Sequence, residues 1–160
     1  MLDADGVISL LDLRPHPMEG GYFRETWRSP VNGDGGGSRS AGTAIYYLVT
    51  PHSFSALHRL TVDEVFHFYV GDPVEMLQLS PDGEGRILWL GTDLEAGMRP
   101  QAVVPAGVWQ GSRLAQGGRF ALLGTTMAPG FDVGDYEAGD RAKLLREYPR
   151  FQEWIEELTR

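Results

Sequence analysis

Turn residues cut most of this sequence into short apolar runs, and that punctuation limits what it can fold into. The run TAIYYLV (residues 43–49) is followed by further runs at 55–60, 64–70, 74–79, 86–90, 101–104 and 120–127. They are short and rich in β-branched, aromatic and other apolar residues, as strands are. Between them stand Thr61 to Asp63, Pro81-Asp82-Gly83, a loop through Gly91 and Gly97, and Pro105-Ala106-Gly107. Such spacers make turns and break helices. Residues 21–27 alternate well enough to add a strand. The 21 glycines and 10 prolines among 160 residues point the same way. The spacing predicts an all-β sandwich or barrel.

The two ends differ from the middle. Val7, Ile8 and Leu11 fall on one side of a short helix over 5–13, capped by Asp3 or Asp5 and stopped by Pro15 and Pro17. Phe151, Trp154, Ile155 and Leu158 stand at i, i+3, i+4 and i+7, an amphipathic helix beginning near Pro149 that covers the sheet. The stretch NGDGGGSRSAG (32–42) reads as a flexible hairpin loop. It lacks the Lys-Ser/Thr ending of a phosphate loop, and no helix pattern follows it. No repeat or linker is visible, so residues 1–160 read as a single domain.

Fourteen Lys and Arg against 22 Asp and Glu give a formal charge of −8. An acidic chain without a basic stripe is not expected to bind nucleic acid or an anionic membrane. The absence of cysteine excludes disulfides, thiolate metal sites and cysteine nucleophiles. The first residues, MLDADGVISLLDLRP, are acidic where a leader peptide is basic, and no window approaches the ~20 apolar residues of a membrane span. A soluble, cytoplasmic protein is the expectation.

Two stretches carry chemistry. In SALHRLTVDEVFHFYVG, Glu64 follows His58 by six residues and Gly71 follows Glu64 by seven. The stretch VPAGVWQGS begins at Val104. The first resembles cupin motif one, His-x-His, three or four residues, Glu, six residues, Gly; the second resembles motif two, Pro-x-Gly-x-x-His. Leu60 and Gln110 stand where two of the histidines belong. The matching set is therefore His58, Glu64 and Gln110. One imidazole, one carboxylate and one amide make a poor transition-metal site and a better hydrogen-bonding pocket for a polar organic ligand. Strand alternation puts Glu64, Phe66 and Phe68 on one face, and Val65, His67 and Tyr69 on the other, so His67 is not a replacement ligand.

The wider chain resembles a cupin subfamily catalogued largely as a domain of unknown function. The likeness runs through HPMEGGYFRET, TAIYYLV, HRLTVDEVFHFYVGDPVEM, LGTDLEAG, PQAVVPAGVWQ and APGFDVGDYEAG. It implies a double-stranded β-helix, or jelly-roll barrel, usually a two-fold dimer, with a polar pocket at the barrel mouth. A more distant resemblance is to dTDP-4-dehydrorhamnose 3,5-epimerase, a metal-free cupin enzyme. It rests on Gly21 to Glu25, on His58 and on Val104 to Gly107. This implies that the stretch from His16 to Ser29 supplies pocket walls, with Glu19, Tyr22, Arg24 and Glu25 at the ligand, together with Tyr46, Phe54, Glu64, Phe66, Trp109 and Gln110.

An epimerase needs a base beside a carbon acid, a donor to the enolate and an acid to return the proton. By this resemblance His58 is the base, Asp132 orients its ring, and Tyr46, Tyr47 or Arg24 donates. Three readings stay open from the residues. One is a metal-independent cupin that binds a small polar metabolite, a sugar or sugar nucleotide, and isomerises it. Another is a metal-dependent cupin with His58, Glu64 and Gln110 at the ion. The third is a binding or sensing module without turnover.

Overall fold

The computed structural model describes residues 1–30 and 38–160. Of the loop expected over 32–42, residues 32–37 lie outside them. Helix α1 (Ala4–Leu11) comes first. The Asp3 carboxylate accepts from the Gly6 N–H at 2.9 Å, and Asp12 closes the helix in the left-handed conformation. Eleven strands follow among the described residues: β1 (Arg14–Pro15), β2 (Tyr22–Arg28), β3 (Thr43–Val49), β4 (Phe54–Arg59), β5 (Glu64–Gly71), β6 (Val74–Leu79), β7 (Gly85–Leu90), β8 (Gln101–Val104), β9 (Trp109–Leu114), β10 (Ala121–Met127) and β11 (Glu137–Ala138). Helices α2 (Arg141–Glu147) and α3 (Gln152–Glu157) close the chain.

The strands form two antiparallel sheets, a six-stranded one ordered β1-β2-β3-β10-β5-β8 and a five-stranded one ordered β11-β4-β9-β6-β7. Tyr47, Phe66 and Leu123 of the first pack against Met76, Leu90 and Leu114 of the second, making the interior of a jelly-roll barrel. The outer faces are partly covered. Helix α1 lies over Leu48 and Leu122, and α2 and α3 bury Leu57, Leu77, Leu79 and Trp109. Leu77, Leu79, Ile155 and Leu158 are wholly buried there. Each contributes roughly 1.5–3 kcal/mol by leaving water. No helix among the described residues is long and apolar enough to cross a membrane.

Four of these elements were not expected from the sequence: the two-residue strands β1 and β11, and β9 and α2. Strand β9, WQGSRL, carries Gly, Ser, Gln and Arg and has little strand propensity of its own. It forms because β4 and β6 pair with it on either side. Helix α2 begins at Asp140, whose carboxylate accepts from the Lys143 N–H at 2.7 Å.

The Gly20-Gly21 pair joins the turn at His16 to β2, with φ of 97° and 70°. A Cβ on Gly21 would stand 2.7 Å from the Leu48 carbonyl oxygen and 2.9 Å from the Tyr47 hydroxyl. The positive φ and the close approach both demand glycine. Gly21→Ala is expected to lower stability by about 1–3 kcal/mol, read as a lower urea midpoint at unchanged slope. A midpoint equal to that of the parent would show that the backbone relaxes here.

Candidate functional site

The site begins with an irregularity in β4. In a regular strand Ser55 and Leu57 would share a face, and His58 would take the other. The register between β4 and β9 shifts between Ser55 and His58. Across that bulge Ser55 points inward, its hydroxyl 3.4 Å from Glu19 Oε2, while Leu57 packs outward under the C-terminal helices. The displaced N–H groups find other partners: Ala56 donates to the Glu19 carbonyl at 2.9 Å and Leu57 to the Leu158 carbonyl at 2.7 Å. His58 is thereby turned into the barrel and wholly buried.

The bulge also sets the tautomer of His58. Its Nδ1 lies 2.7 Å from the Ala56 carbonyl oxygen, which only accepts, so Nδ1 carries the hydrogen. Nε2 then bears a lone pair. That atom is buried, has no hydrogen-bond partner among the described residues, and faces Glu19 Oε1 at 3.4 Å. Burial holds the ring below its ordinary pKa of 6.5, while the Glu64 carboxylate and the Ala56 bond pull the other way. Tyr136 stacks on the ring, with centroids 5.0 Å apart and planes 18° apart.

Glu19 is placed by its own turn. His16 Nδ1 accepts from the N–H groups of Met18 at 3.3 Å and Glu19 at 3.0 Å, so the hydrogen of the neutral ring sits on Nε2, 3.7 Å from Glu19 Oε1. The Arg160 guanidinium donates to the Glu19 carbonyl at 3.0 Å. Burial raises the Glu19 carboxyl, and the nearby His16 and the Ser55 hydroxyl oppose it. Glu64 opens β5 and accepts from the Gln110 amide at 2.8 Å. Burial and then the Glu19 charge push it up to about 7. His16 is held below 6.5, first by burial.

Glu19, Glu64 and Glu25 border a narrow cavity of about 50 Å³, walled by Phe23, Ile45, Leu60, Met127 and Phe131, with His16, Thr43 and Thr125. His58 is not in its lining; it sits behind Glu19, sealed from water. Several expected residues lie elsewhere. Asp132 does not reach His58. Its side chain caps the turn at 133–135 by accepting from the Gly134 N–H at 2.9 Å, and the neighbouring loop residues Phe131 and Tyr136 reach the site instead. Tyr22, Arg24 and Tyr46 are on the outer face of their sheet, Tyr22 and Tyr46 packed in the cluster under α1 and Arg24 over the Tyr46 ring at 5.8 Å. Alternation along β2 explains this, because Phe23 and Glu25 take the inner face. Phe54 and Trp109 belong to the outer cluster under α2 and α3, and Phe66 fills the barrel core. His67 is on the outer face, with Nε2 3.0 Å from the Thr126 hydroxyl.

The donor set does not suit a metal. Among the described residues no three His, Asp or Glu side chains converge as ligands. The Gln110 amide is spent on Glu64, and a carboxyl raised to about 7 holds a proton that an ion would have to displace. What the arrangement can do is hold and move protons.

The carboxyl of Glu64 binds its proton more tightly folded than unfolded, so its penalty on stability appears as pH rises from 4.5 through about 7. Glu64→Gln removes the charge. The variant is expected to gain roughly 3 kcal/mol on the parent between pH 4.5 and 8, measured by urea unfolding at both pH values. A difference that does not change with pH would show that Glu64 is not the perturbed group.

Residues 5–139 match the family described as Cupin superfamily (DUF985). The chain is 34% identical over 133 residues to the uncharacterized protein YML079W of Saccharomyces cerevisiae, covering 74% of this chain and 66% of that protein, just under two thirds of its length. The solved structure of protein SO0799 from Shewanella oneidensis superposes with a TM-score of 0.93 at 39% identity, over 100% of this chain and 99% of that one. A hypothetical protein from Leishmania major gives 0.89 at 34%, over 99% of each chain. With motif, barrel and buried site in agreement, the chain belongs to the DUF985 family of the cupin superfamily.

Proposed function

We propose that this protein binds a small polar carbonyl compound of sugar-like chemistry in the barrel cavity and shifts a proton on the carbon beside the carbonyl, as a metal-independent isomerase or epimerase. The observation that carries the reading is the pair of carboxyls on one small cavity, Glu19 and Glu64, each held by different partners. Burial raises the Glu19 carboxyl, while His16 and the Ser55 hydroxyl support its charge. Glu64 has the Glu19 charge against it and keeps its proton to about pH 7. Such a pair divides into base and acid.

In the step, ionised Glu19 takes the proton from the carbon and the C–H electron pair forms the enediol double bond. Glu64 gives its proton to the carbonyl oxygen. Return of a proton from Glu19 to a carbon, and of the hydroxyl proton to Glu64, completes the exchange. His58 acts from behind as a positioning residue. Its Nε2 lone pair faces Glu19 Oε1, accepts a hydrogen bond from that carboxyl when it is protonated, and so lowers the barrier to its gaining the proton.

Solvent deuterium entering hydroxyaldehydes and hydroxyketones, followed by NMR, is the test. The parent protein is expected to exchange, and Glu19→Gln to lose about 10²–10⁴-fold. The rate is expected to fall above about pH 7, as Glu64 ionises. A panel of such compounds showing no exchange at any pH would remove the enzymatic reading.

Pairing of two copies belongs to the same proposal. It is supported by apolar side chains left bare on the outer face of the six-stranded sheet, Tyr69 at 50% and Val103 at 46% exposure. Light scattering at micromolar concentration is expected to give a dimer; a monomer would reject it.

A further inference from the structure

The cavity also speaks to the charge of what enters it, and this inference rests on the reading above. Among the described residues, three of its lining side chains carry carboxyl groups, Glu19, Glu25 and Glu64, and none is a lysine or arginine. Arg28 touches the lining, but its guanidinium is already spent on both Glu25 oxygens, at 2.9 and 2.8 Å, and on the Phe131 carbonyl at 3.0 Å. Arg160, on the other side of Glu19, is turned to backbone carbonyls and the Phe54 ring. Behind Glu19, the unpartnered Nε2 of His58 adds one more acceptor. The site is thus rich in acceptors and poor in positive charge, on a chain whose formal charge is −8. A phosphate or carboxylate would give up its hydration and meet negative charge at close range, with no lining cation among the described residues to offset it.

Size narrows the class further. At about 50 Å³ the cavity holds roughly three to five waters. That is room for the reacting end of a short chain, with its hydroxyls as donors to the carboxylates.

We infer that the group entering this cavity is an uncharged hydroxycarbonyl of about three carbons, and that phosphorylated or nucleotide-bearing forms are excluded from it. The aromatic walls, Phe23 and Phe131, receive the C–H faces of such a ligand, while the carboxylates receive its O–H groups.

Dihydroxyacetone and glyceraldehyde, each with its phosphorylated counterpart, are the probes. Saturation-transfer NMR reads binding, and deuterium incorporation reads proton transfer, with Glu19→Gln as the background. The expected result is binding and exchange for the neutral pair, with the phosphorylated pair at least tenfold weaker in both. Equal or stronger binding of the phosphorylated compounds would overturn the inference and leave the proton-transfer reading standing. Binding of the neutral pair without exchange would sustain the inference and remove the enzymatic reading. Binding of none of the four would overturn the inference.

A second variant tests the cause. Glu25→Gln takes one charge from the cavity rim and releases Arg28. It is expected to raise the affinity of the phosphorylated probes relative to the neutral ones at least tenfold. No gain for the phosphorylated probes would show that charge at the rim is not what selects.

Discussion

Between Ser55 and His58 strand β4 gives up its regular pairing with β9, and two of its backbone N–H groups leave the ladder for Glu19 and Leu158. Much of the site follows from that exchange. It changes which residues face inward, so that Leu57 goes to the outer core and His58 to the barrel. It puts the Ala56 carbonyl under the imidazole, which fixes the ring hydrogen on Nδ1. The bond from Ala56 to the Glu19 carbonyl ties the glycine-rich turn of the first strands to the same spot. One irregular step thus sets the direction, tautomer and neighbour of the central histidine.

The second constraint is dehydration. Glu19, Glu64, His16 and His58 are drawn out of water together, and among the described residues no lysine or arginine side chain comes into the cavity lining with them. Burial therefore acts on every member in the direction of neutrality, raising the acids and lowering the bases. Their mutual charges then divide the acids, since a charge on Glu19 makes ionising Glu64 harder. Hydrogen bonds from Ser55 and Gln110 hold the two carboxyls in place, while the buried Nε2 of His58 stays without a hydrogen-bond partner. A motif-one histidine and a motif-two histidine at positions 60 and 110 would change this balance. Leu60 instead supplies a wall and Gln110 a donor to Glu64.

The barrel was legible because most of its strands carry their own evidence. Thr43–Val49, Val74–Leu79 and Gln101–Val104 appear with the bounds that composition and turns suggest. Strand β9 was illegible for a physical reason: it lines a polar interior, so Gln110 and Ser112 face inward where a pattern reader expects apolar residues. Motif spacing picks out His58, Glu64 and Gln110, and the resemblance adds Glu19 and Glu25. Phe23 and Phe131 escape both, because strand alternation and the reach of a loop decide that they line the cavity. Choosing Tyr22 and Arg24 along with Glu25 put both faces of β2 in the pocket at once, although only Phe23 and Glu25 can share it. The turn holding His16 and Glu19 could have been read further, since a histidine three residues before a glutamate and beside a glycine pair can close on itself. The bulge that aims His58 left no mark in composition, and neither did the reach of Tyr136.

The bond from Leu57 to the Leu158 carbonyl and the grip of Arg160 on the Glu19 carbonyl join the far end of the chain to its central residues. Those two contacts work as a clasp on the irregular strand. Without the Leu158 carbonyl the displaced N–H of Leu57 loses its acceptor, and without the Arg160 guanidinium the Glu19 turn loses a donor. Damage to a segment a hundred residues away in sequence is therefore felt at the buried histidine before it is felt in the barrel sheets.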